Sequence, residues 1–218
     1  MNYGTTRLYH GFGGLSMAQL TFYDENHVYE VDGQRIPSVS EVMRFASREV
    51  YSGVDQWRLD NAADRGTRVH DATLAIDENG GADVDADIAP YVEAYVGFLK
   101  KFHPHYIASE LALADTQAWF AGRLDRCAIV NQKRVIIDIK TSSRIETRLV
   151  QAQLTAYAWL WEKNGKGKVD ELYVLHLMGD GQFRFRRIER DDDYWKALLI
   201  LQRKFTKKGE FAPWKTTK

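Results

Sequence analysis

The feature that most constrains the fold is a short apolar run that ends in two opposite charges. Residues 135–137 read Val-Ile-Ile, which is typical of a buried strand, and Asp138 and Lys140 follow within the next three positions. Residues two apart on a strand share a face, so Asp138 and Lys140 point one way while Ile137 and Ile139 point into a core. A buried carboxylate or ammonium is costly to desolvate unless it is paired or bound to a metal. The fold must therefore bring partners to this strand.

Length and composition are those of a globular domain. The chain has 218 residues, enough for one domain that buries ~70% of its unfolded surface. Its single cysteine, Cys127, excludes a disulfide framework, a four-thiolate zinc site and a four-cysteine iron–sulfur cluster, and we expect it to be a small buried apolar residue. No apolar run approaches the ~20 residues of a membrane span, and the N-terminus has no secretory apolar core. We therefore expect a cytoplasmic protein with no membrane partner.

The formal net charge of zero hides an uneven distribution. Residues 1–109 carry 9 basic and 16 acidic side chains, whereas residues 110–218 carry 21 basic and 14 acidic ones. Neutrality alone argues against a polyanionic partner, because phosphate binding depends on cationic surface. Read by position, however, the charge indicates one cationic part of the molecule, which is compatible with nucleic-acid binding.

The chain divides into a tail and one domain. Residues 1–16 hold four glycines and little periodic apolar pattern, which predicts a flexible N-terminal tail over residues 1–17 and a single domain over residues 18–218. The domain opens with a short β meander from residue 20 to residue 33. Ser38 or Ser40 then caps a helix that runs through Phe45.

Further along the chain, helical and strand patterns alternate. Helices are predicted at residues 54–76, 91–102, 147–162 and 191–208. Strands are predicted at residues 106–113, 118–130, 134–139, 171–178 and 183–188. The last two strands pair across Gly179-Asp180-Gly181, a strong hairpin signal. The order predicts an α/β fold, with a central β-sheet flanked by helices and preceded by the meander and a helical region.

Asp125 lies on the neighbouring strand of the hairpin and is a possible partner for Asp138 and Lys140. If the two strands pair, Asp125 and Asp138 converge with Lys140 beside them, and such oxygen ligands suit a hard divalent cation. The cation would polarise a phosphoryl oxygen, while Lys140 would orient a water or steady developing charge. The alternative is that Asp138 and Lys140 form an ordinary ion pair on a half-exposed strand.

Other residues favour the chemical interpretation. The segment Arg65-Gly66-Thr67-Arg68-Val69-His70 places a glycine inside a helix, a poor position unless something approaches closely. Glu110 lies near the start of the first central strand. Gln153 and Tyr157 share one face of the helix after Lys140, where a glutamine among apolar residues needs a partner, while Tyr157 is equally interpretable as core.

Taken together, these segments resemble the RecB-like exonuclease branch of the PD-(D/E)XK nuclease superfamily, in particular its small stand-alone phage-type members. The resemblance covers roughly residues 20 to 205 and rests on four motifs in the same order. The matching motifs are Arg65-Gly66-Thr67-x-x-His70, Gly122-x-x-Asp125, Asp138-Ile139-Lys140 and Gln153-x-x-x-Tyr157. The proline that gives the superfamily its name is absent, because Leu124 precedes Asp125.

The resemblance implies a restriction-endonuclease-like core, a central mixed β-sheet flanked by helices. It also implies one or two Mg²⁺ or Mn²⁺ ions, held by His70, Asp125, Asp138 and the backbone carbonyl of Ile139. Catalytic roles fall to Asp125, Asp138, Lys140 and, as an extra upstream acid, Glu110. Supporting or DNA-contacting roles fall to a further set, which comprises Gln153, Tyr157, Arg65, Thr67 and Arg123.

The function implied is metal-dependent exonucleolytic hydrolysis of phosphodiester bonds in linear single- or double-stranded DNA. A place in phage recombination, replication or repair would follow, with a single-strand annealing protein as a companion and the host cytoplasm as the location. Two alternatives remain open from the residues alone. One is a structure- or sequence-specific endonuclease on the same core, and the other is a non-catalytic DNA-binding module. The sequence does not indicate an oligomeric state.

Overall fold

The computed structural model describes residues 3–7 and 18–207 of the chain. The strands are β1 Tyr3–Arg7, β2 Gln19–Tyr23, β3 Val28–Val31, β4 Gln34–Ile36, β5 His105–Asp115, β6 Phe120–Val130, β7 Lys133–Lys140, β8 Glu171–Leu177 and β9 Phe183–Ile188. The helices are α1 Val39–Val42, α2 Arg44–Val50, α3 Gln56–Asn79, α4 Ala89–Phe102, α5 Thr147–Lys163 and α6 Asp192–Lys207. No helix among these residues is long and apolar enough to cross a membrane.

A five-stranded mixed sheet in the order β5-β6-β7-β8-β9 forms the centre, so the expected α/β class with a central mixed sheet is confirmed. Neighbouring strands are antiparallel except β7 and β8, which are parallel and place Lys140 beside His176. Parallel neighbours need a crossover, and α5 supplies it. The β6–β7 hairpin turns through Asn131 and Gln132, both with positive φ, as a two-residue turn of type I′ requires.

The central sheet is covered on both faces, which explains the nearly continuous apolar sequence of β7. Ile136 belongs to the core shared with α1, α5 and α6, in which Trp195 is the largest buried side chain. Ile137 and Ile139 belong to a second core built with α3 and α4. Cys127 is fully buried in the first core, as expected. Several charged side chains on β6 and β7 are therefore buried between the sheet and the helices that cover its two faces.

The N-terminal strands form a separate antiparallel sheet in the order β1-β2-β3-β4. Its apolar side chains pack against Ala112, Ala114 and Ala121 at the end of the β5–β6 hairpin. Tyr3–Arg7, which lies within the predicted tail, pairs with β2 because the edge of β2 offers unpaired backbone groups. The division into a tail over residues 1–17 and a domain over residues 18–218 stays a prediction. The rest of that segment, residues 1–2 and 8–17, lies outside the described residues.

The helix predicted after the meander is divided in two. Ser38 caps α1, and its hydroxyl accepts from the Glu41 backbone N–H at 3.1 Å while the Glu41 carboxylate accepts from the Ser38 N–H at 2.9 Å. Met43 ends α1 with φ −79° and ψ −6°, and α2 follows directly. Of the two serines proposed as the cap, Ser38 therefore has that role. The cap fixes α1 against Ala121, whose N–H donates to the Pro37 carbonyl at 2.9 Å.

Gly122 lies where α1, α5 and β6 meet, and it has no room for a side chain. A methyl group there would lie 2.8 Å from Val39 Cγ2 and 3.0 Å from Tyr157 Cε1. We expect Gly122→Ala to destabilise the protein by roughly 1–3 kcal/mol, because packed side chains must shift. Urea unfolding measures the change. Gly81→Ala is the control, since a methyl group at that position would meet no atom within 4 Å, and equal losses for the two variants would contradict the packing argument.

Candidate active site

An open cleft of about 1040 Å³ runs between α3, the start of α1, the middle of β6 and the end of β7. Its floor holds most of the side chains singled out from the sequence. The predicted site residues that line it are Thr67, His70, Glu110, Arg123, Asp125, Ile139, Lys140, Gln153 and Tyr157. Asp138 lies beneath this floor and is fully buried, and Arg65 is not part of the lining.

Three candidate metal-ligand atoms from three elements converge at the centre of the cleft. His70 Nε2 on α3 lies 3.2 Å from the carbonyl oxygen of Ile139 on β7 and 3.8 Å from Asp125 Oδ2 on β6. The same Asp125 oxygen accepts from the Ile139 N–H at 2.7 Å, which locks the carboxylate to the neighbouring strand. The pairing of β6 with β7 thus brings the predicted Asp125 to the central strand, and α3 brings His70 above both.

Glu110 joins this group from the middle of β5. Its Oε1 lies 3.4 Å from His70 Nδ1, and ligand atoms of His70, Glu110 and Asp125 all lie within 4.8 Å of one another. Glu110 has a φ of +47°, a left-handed conformation that is strained for a residue with a side chain. Such strain persists only where the surrounding contacts hold it, and it is concentrated at functional sites.

Asp138 and Lys140 form a close pair at the end of β7. Lys140 Nζ lies 2.9 Å from Asp138 Oδ1 and 2.8 Å from Oδ2, but only Oδ1 receives a well-directed hydrogen bond. Asp138 is 0% exposed, so the alternative of an ordinary ion pair on a half-exposed strand does not describe it. Asp138 stands apart from the cluster of His70, Glu110 and Asp125, and its role as a metal ligand stays a prediction.

The donor set fits a divalent cation. An imidazole nitrogen, carboxylate oxygens and the Ile139 carbonyl suit Mg²⁺ or Mn²⁺, with the nitrogen favouring Mn²⁺. The buried Oδ2 of Asp138 lies 2.8 Å from Lys140 Nζ but receives no directed hydrogen bond, so it is a further oxygen that a cation could use. The residues present are therefore compatible with a cation held by His70, Asp125 and Ile139.

The pKa values of His70 and Asp125 are shifted by burial and by the neighbouring carboxylates. Burial alone lowers the pKa of His70, but the carboxylates of Asp125 and Glu110 outweigh it and raise the pKa to about 9. Burial raises the pKa of Asp125 to about 6, and the neighbouring Asp138 and Glu110 charges act in the same direction. A bound divalent cation would replace the proton on His70 and compensate these carboxylates.

Lys140 has the opposite character. Burial lowers its pKa, but Asp138 and Asp125 overcome this effect and the net direction is upward. Lys140 therefore remains an ammonium group at neutral pH. It faces the cleft as a fixed cation and not as a general base.

The helix after β7 supplies a polar pair to the wall of the cleft. Gln153 Nε2 donates to the Tyr157 hydroxyl at 3.0 Å, so the glutamine has the partner that its apolar surroundings require. Burial raises the pKa of Tyr157 well above its ordinary value, which keeps the phenol neutral. Tyr157 belongs to the core and also lines the cleft, so both interpretations of it hold.

Arg65 and Thr67, two further predicted site residues on α3, donate hydrogen bonds to backbone carbonyl groups. Arg65 donates to the Thr141 carbonyl at 3.5 Å and lies over the Tyr91 ring. A methyl group on Gly66 would approach Thr141 Oγ1 only to 3.9 Å, so close packing does not explain this glycine. Thr67 donates to the carbonyl of Ala63 one turn earlier, at 3.2 Å.

Arg123 connects the cleft to the N-terminal sheet. Its guanidinium lies 3.2 Å from Glu110 Oε2 and 3.0 Å from Asp24 Oδ1, and it stacks over the Phe22 ring. Asp24 and Asp71 also line the cleft, and neither was predicted there. Their acidity means that the free cleft is not uniformly cationic.

Sequence reasoning missed Arg126, which follows Asp125 on β6. Its side chain is fully buried and donates to Glu110 and to three other groups. Arg126 directly follows the Asp125 motif in a strand whose other residues are mostly apolar, and this was the available signal. A buried arginine needs several partners, and only the tertiary structure shows which ones they are.

Comparison with known proteins agrees with this arrangement. A mixed sheet with helices on both faces and an acid–lysine pair on its third strand is a restriction-endonuclease-like core. Residues 85–218 match the family model of the PD-(D/E)XK nuclease superfamily, and the chain belongs to that superfamily. No curated protein sequence matches this chain.

Several solved structures are similar to this chain at low sequence identity. A candidate exonuclease from Eubacterium rectale aligns with a TM-score of 0.51 and 13% identity over 82% of this chain and 83% of that chain. An alkaline exonuclease from Laribacter hongkongensis aligns with a TM-score of 0.40 and 13% identity over 79% and 87%. The same Laribacter enzyme in complex with dAMP aligns with a TM-score of 0.36 and 16% identity over 80% and 88%.

The pKa of His70 makes the stability of the metal-free protein depend on pH. Its folded pKa of about 9 exceeds the ordinary value of 6.5, so the stabilisation is complete below pH 6.5 and is lost as the pH rises through 9. We expect the free energy of unfolding in EDTA to fall by roughly 1–3 kcal/mol between pH 6.5 and 9. Urea unfolding across this range measures it. His70→Asn should flatten the profile, and a flat wild-type profile would contradict the assignment.

Proposed function

We propose that this protein is a metal-dependent deoxyribonuclease that hydrolyses phosphodiester bonds of linear DNA from its ends. The observation that carries the proposal is the convergence of His70, Asp125 and the Ile139 carbonyl beside the Asp138–Lys140 pair in an open cleft. Membership of the PD-(D/E)XK nuclease superfamily supports nuclease chemistry at this place.

The cation that we propose is Mg²⁺ or Mn²⁺, with His70, Asp125 and the Ile139 carbonyl as its ligands and Asp138 as a further one. When bound, it supplies Lewis-acid chemistry to a phosphodiester. Glu110 is close enough to His70 to take part in a second ion or to hold a water. Since Glu110 Oε1 and Oε2 already face His70, Arg123 and Arg126, we assign it mainly to shaping the site.

Lys140 is the catalytic residue in this proposal. Its ammonium group is held on Asp138 and exposed to the cleft, where it can orient the attacking water and steady charge that develops on the phosphoryl oxygens. Asp138 fixes Lys140 from below. Gln153 and Tyr157 form the adjoining wall, and their neutral hydrogen-bonding groups can contact a phosphate without repelling it.

We also propose that the protein degrades DNA from its ends. The resemblance to small phage-type exonucleases favours it, and the candidate exonuclease from Eubacterium rectale has the same fold. The same resemblance suggests a role in phage recombination, replication or repair beside a strand-annealing protein. An endonuclease on this core is the alternative, whereas the complete set of Asp125, Asp138 and Lys140 argues against a DNA-binding module without turnover.

Replacement of Lys140 tests the catalytic assignment. We expect Lys140→Gln to lower the cleavage rate by about 100-fold to 1000-fold, because a fixed cation at the developing charge is lost, while DNA affinity changes little. Rates on labelled oligonucleotides and binding by anisotropy measure the two effects. Lys133→Gln is the matched control on the same strand, since Lys133 pairs with Glu171 away from the cleft. Cleavage at the wild-type rate by Lys140→Gln would refute the site.

The mode of attack is tested with DNA of different topology. We expect loss of 5′- or 3′-labelled linear DNA with Mg²⁺ or Mn²⁺ and none with EDTA, while closed circular DNA stays intact. Cutting of the closed circle would favour the endonuclease alternative. No metal-dependent cleavage of any substrate would rule out the enzyme.

A further inference from the structure

We infer that Arg126 is a positioning residue that sets the spacing of Glu110 and Asp125 from the helix that carries His70. The inference rests on the proposed cation site, because Arg126 would act through the residues that hold the cation. Arg126 is 0% exposed and does not line the cleft, so it cannot contact a substrate directly. Its effect on the reaction must pass through the groups that it holds.

The guanidinium group of Arg126 joins three elements. On the strands, Nη1 donates to Glu110 Oε1 at 3.0 Å and to the Asp125 carbonyl at 2.8 Å. On α3, Nε donates to Asp77 Oδ2 at 2.7 Å and Nη2 donates to Thr73 Oγ1 at 3.2 Å. A guanidinium is a rigid planar fork, so these four bonds fix the distance between α3 and the two strands.

The α3 side of this network is itself firmly held. Tyr95 on α4 places its hydroxyl 2.7 Å from both carboxylate oxygens of Asp77 and 2.8 Å from the Tyr106 hydroxyl. Arg126 also lies 5.9 Å from the centre of the Tyr106 ring. The buried charge of Arg126 is thus balanced by Asp77 and Glu110, and its position is determined by packed aromatic side chains.

Thr73 links the network to the proposed metal ligand. Its hydroxyl accepts from Arg126 and donates to the backbone carbonyl of His70 at 2.9 Å. The chain of contacts therefore runs from Glu110 through Arg126 and Thr73 to His70, and it closes where His70 Nδ1 meets Glu110 Oε1 at 3.4 Å. Loss of one of these hydrogen bonds would let His70 move away from Glu110 and Asp125. Mutation of a residue that orients a metal ligand through a hydrogen bond typically weakens metal affinity by ~10–100-fold.

A pair of threonine variants separates positioning from stability. Thr73 and Thr155 are both 0% exposed and helical, and each hydroxyl accepts one hydrogen bond from a distant part of the chain. For Thr155 the donor is the Asp191 N–H at 3.1 Å. Thr73→Val should weaken Mn²⁺ binding and raise the Mn²⁺ concentration for half-maximal cleavage by about tenfold. The rate at saturating Mn²⁺ should stay within about twofold. Thr155→Val should lower the melting temperature with no change in either Mn²⁺ property.

Arg126→Lys is the second variant, because it keeps the buried charge and loses the fork. We expect Mn²⁺ binding to weaken by at least as much as in Thr73→Val. Mn²⁺ binding is measured directly by the paramagnetic signal of the free ion, and the melting temperature is recorded for each variant. The inference is overturned if Thr73→Val, or a folded Arg126→Lys, binds Mn²⁺ as the wild type does. Mn²⁺ binding by a wild type that cleaves no DNA would instead refute the proposed function.

Discussion

The central sheet buries several charged side chains, and the cost of removing them from water governs how the other elements are arranged around it. Asp125, Arg126 and Asp138 are at most 7% exposed, and each would be severely destabilising without a partner. The partners come from different elements: the β7 backbone for Asp125, α3 and β5 for Arg126, and Lys140 for Asp138. The positions of α3 and β5 on the sheet are therefore tied to the same charges that form the site.

The floor of the cleft is held rigidly by core packing, and it also carries carboxylates that can attract a cation. The apolar side chains of β7 pack on both faces and hold the strand in place, while α5 returns the chain for the parallel strand β8. The carboxylates of Asp125 and Glu110 nevertheless raise the pKa of His70, so they favour a positive charge at this place. A site whose framework is fixed before a cation binds needs little rearrangement to accept it.

Local rules predicted much of the fold and of the site. The Val-Ile-Ile run, the turn residues of the hairpins and a serine cap at Ser38 or Ser40 each depend on neighbours in the sequence. The corresponding strands, turns and helix lie near the predicted positions, and the structure selects Ser38 as the cap. The same rules missed β1, because strand pairing at Tyr3–Arg7 depends on a distant edge. They also missed the left-handed backbone of Glu110, which side-chain contacts from other elements maintain.

Three features can be read from the sequence alone: the buried central strand, the Asp138–Lys140 pair two positions apart, and the residue types from which a cation site can be made. These follow from the period of a strand and from the chemistry of the side chains. Only the tertiary structure decided that His70 meets the Ile139 carbonyl across 69 positions, and that Arg126 connects Glu110 to α3. Such contacts depend on how helices pack over a sheet, which is set by the combined shape of the core and not by any single segment.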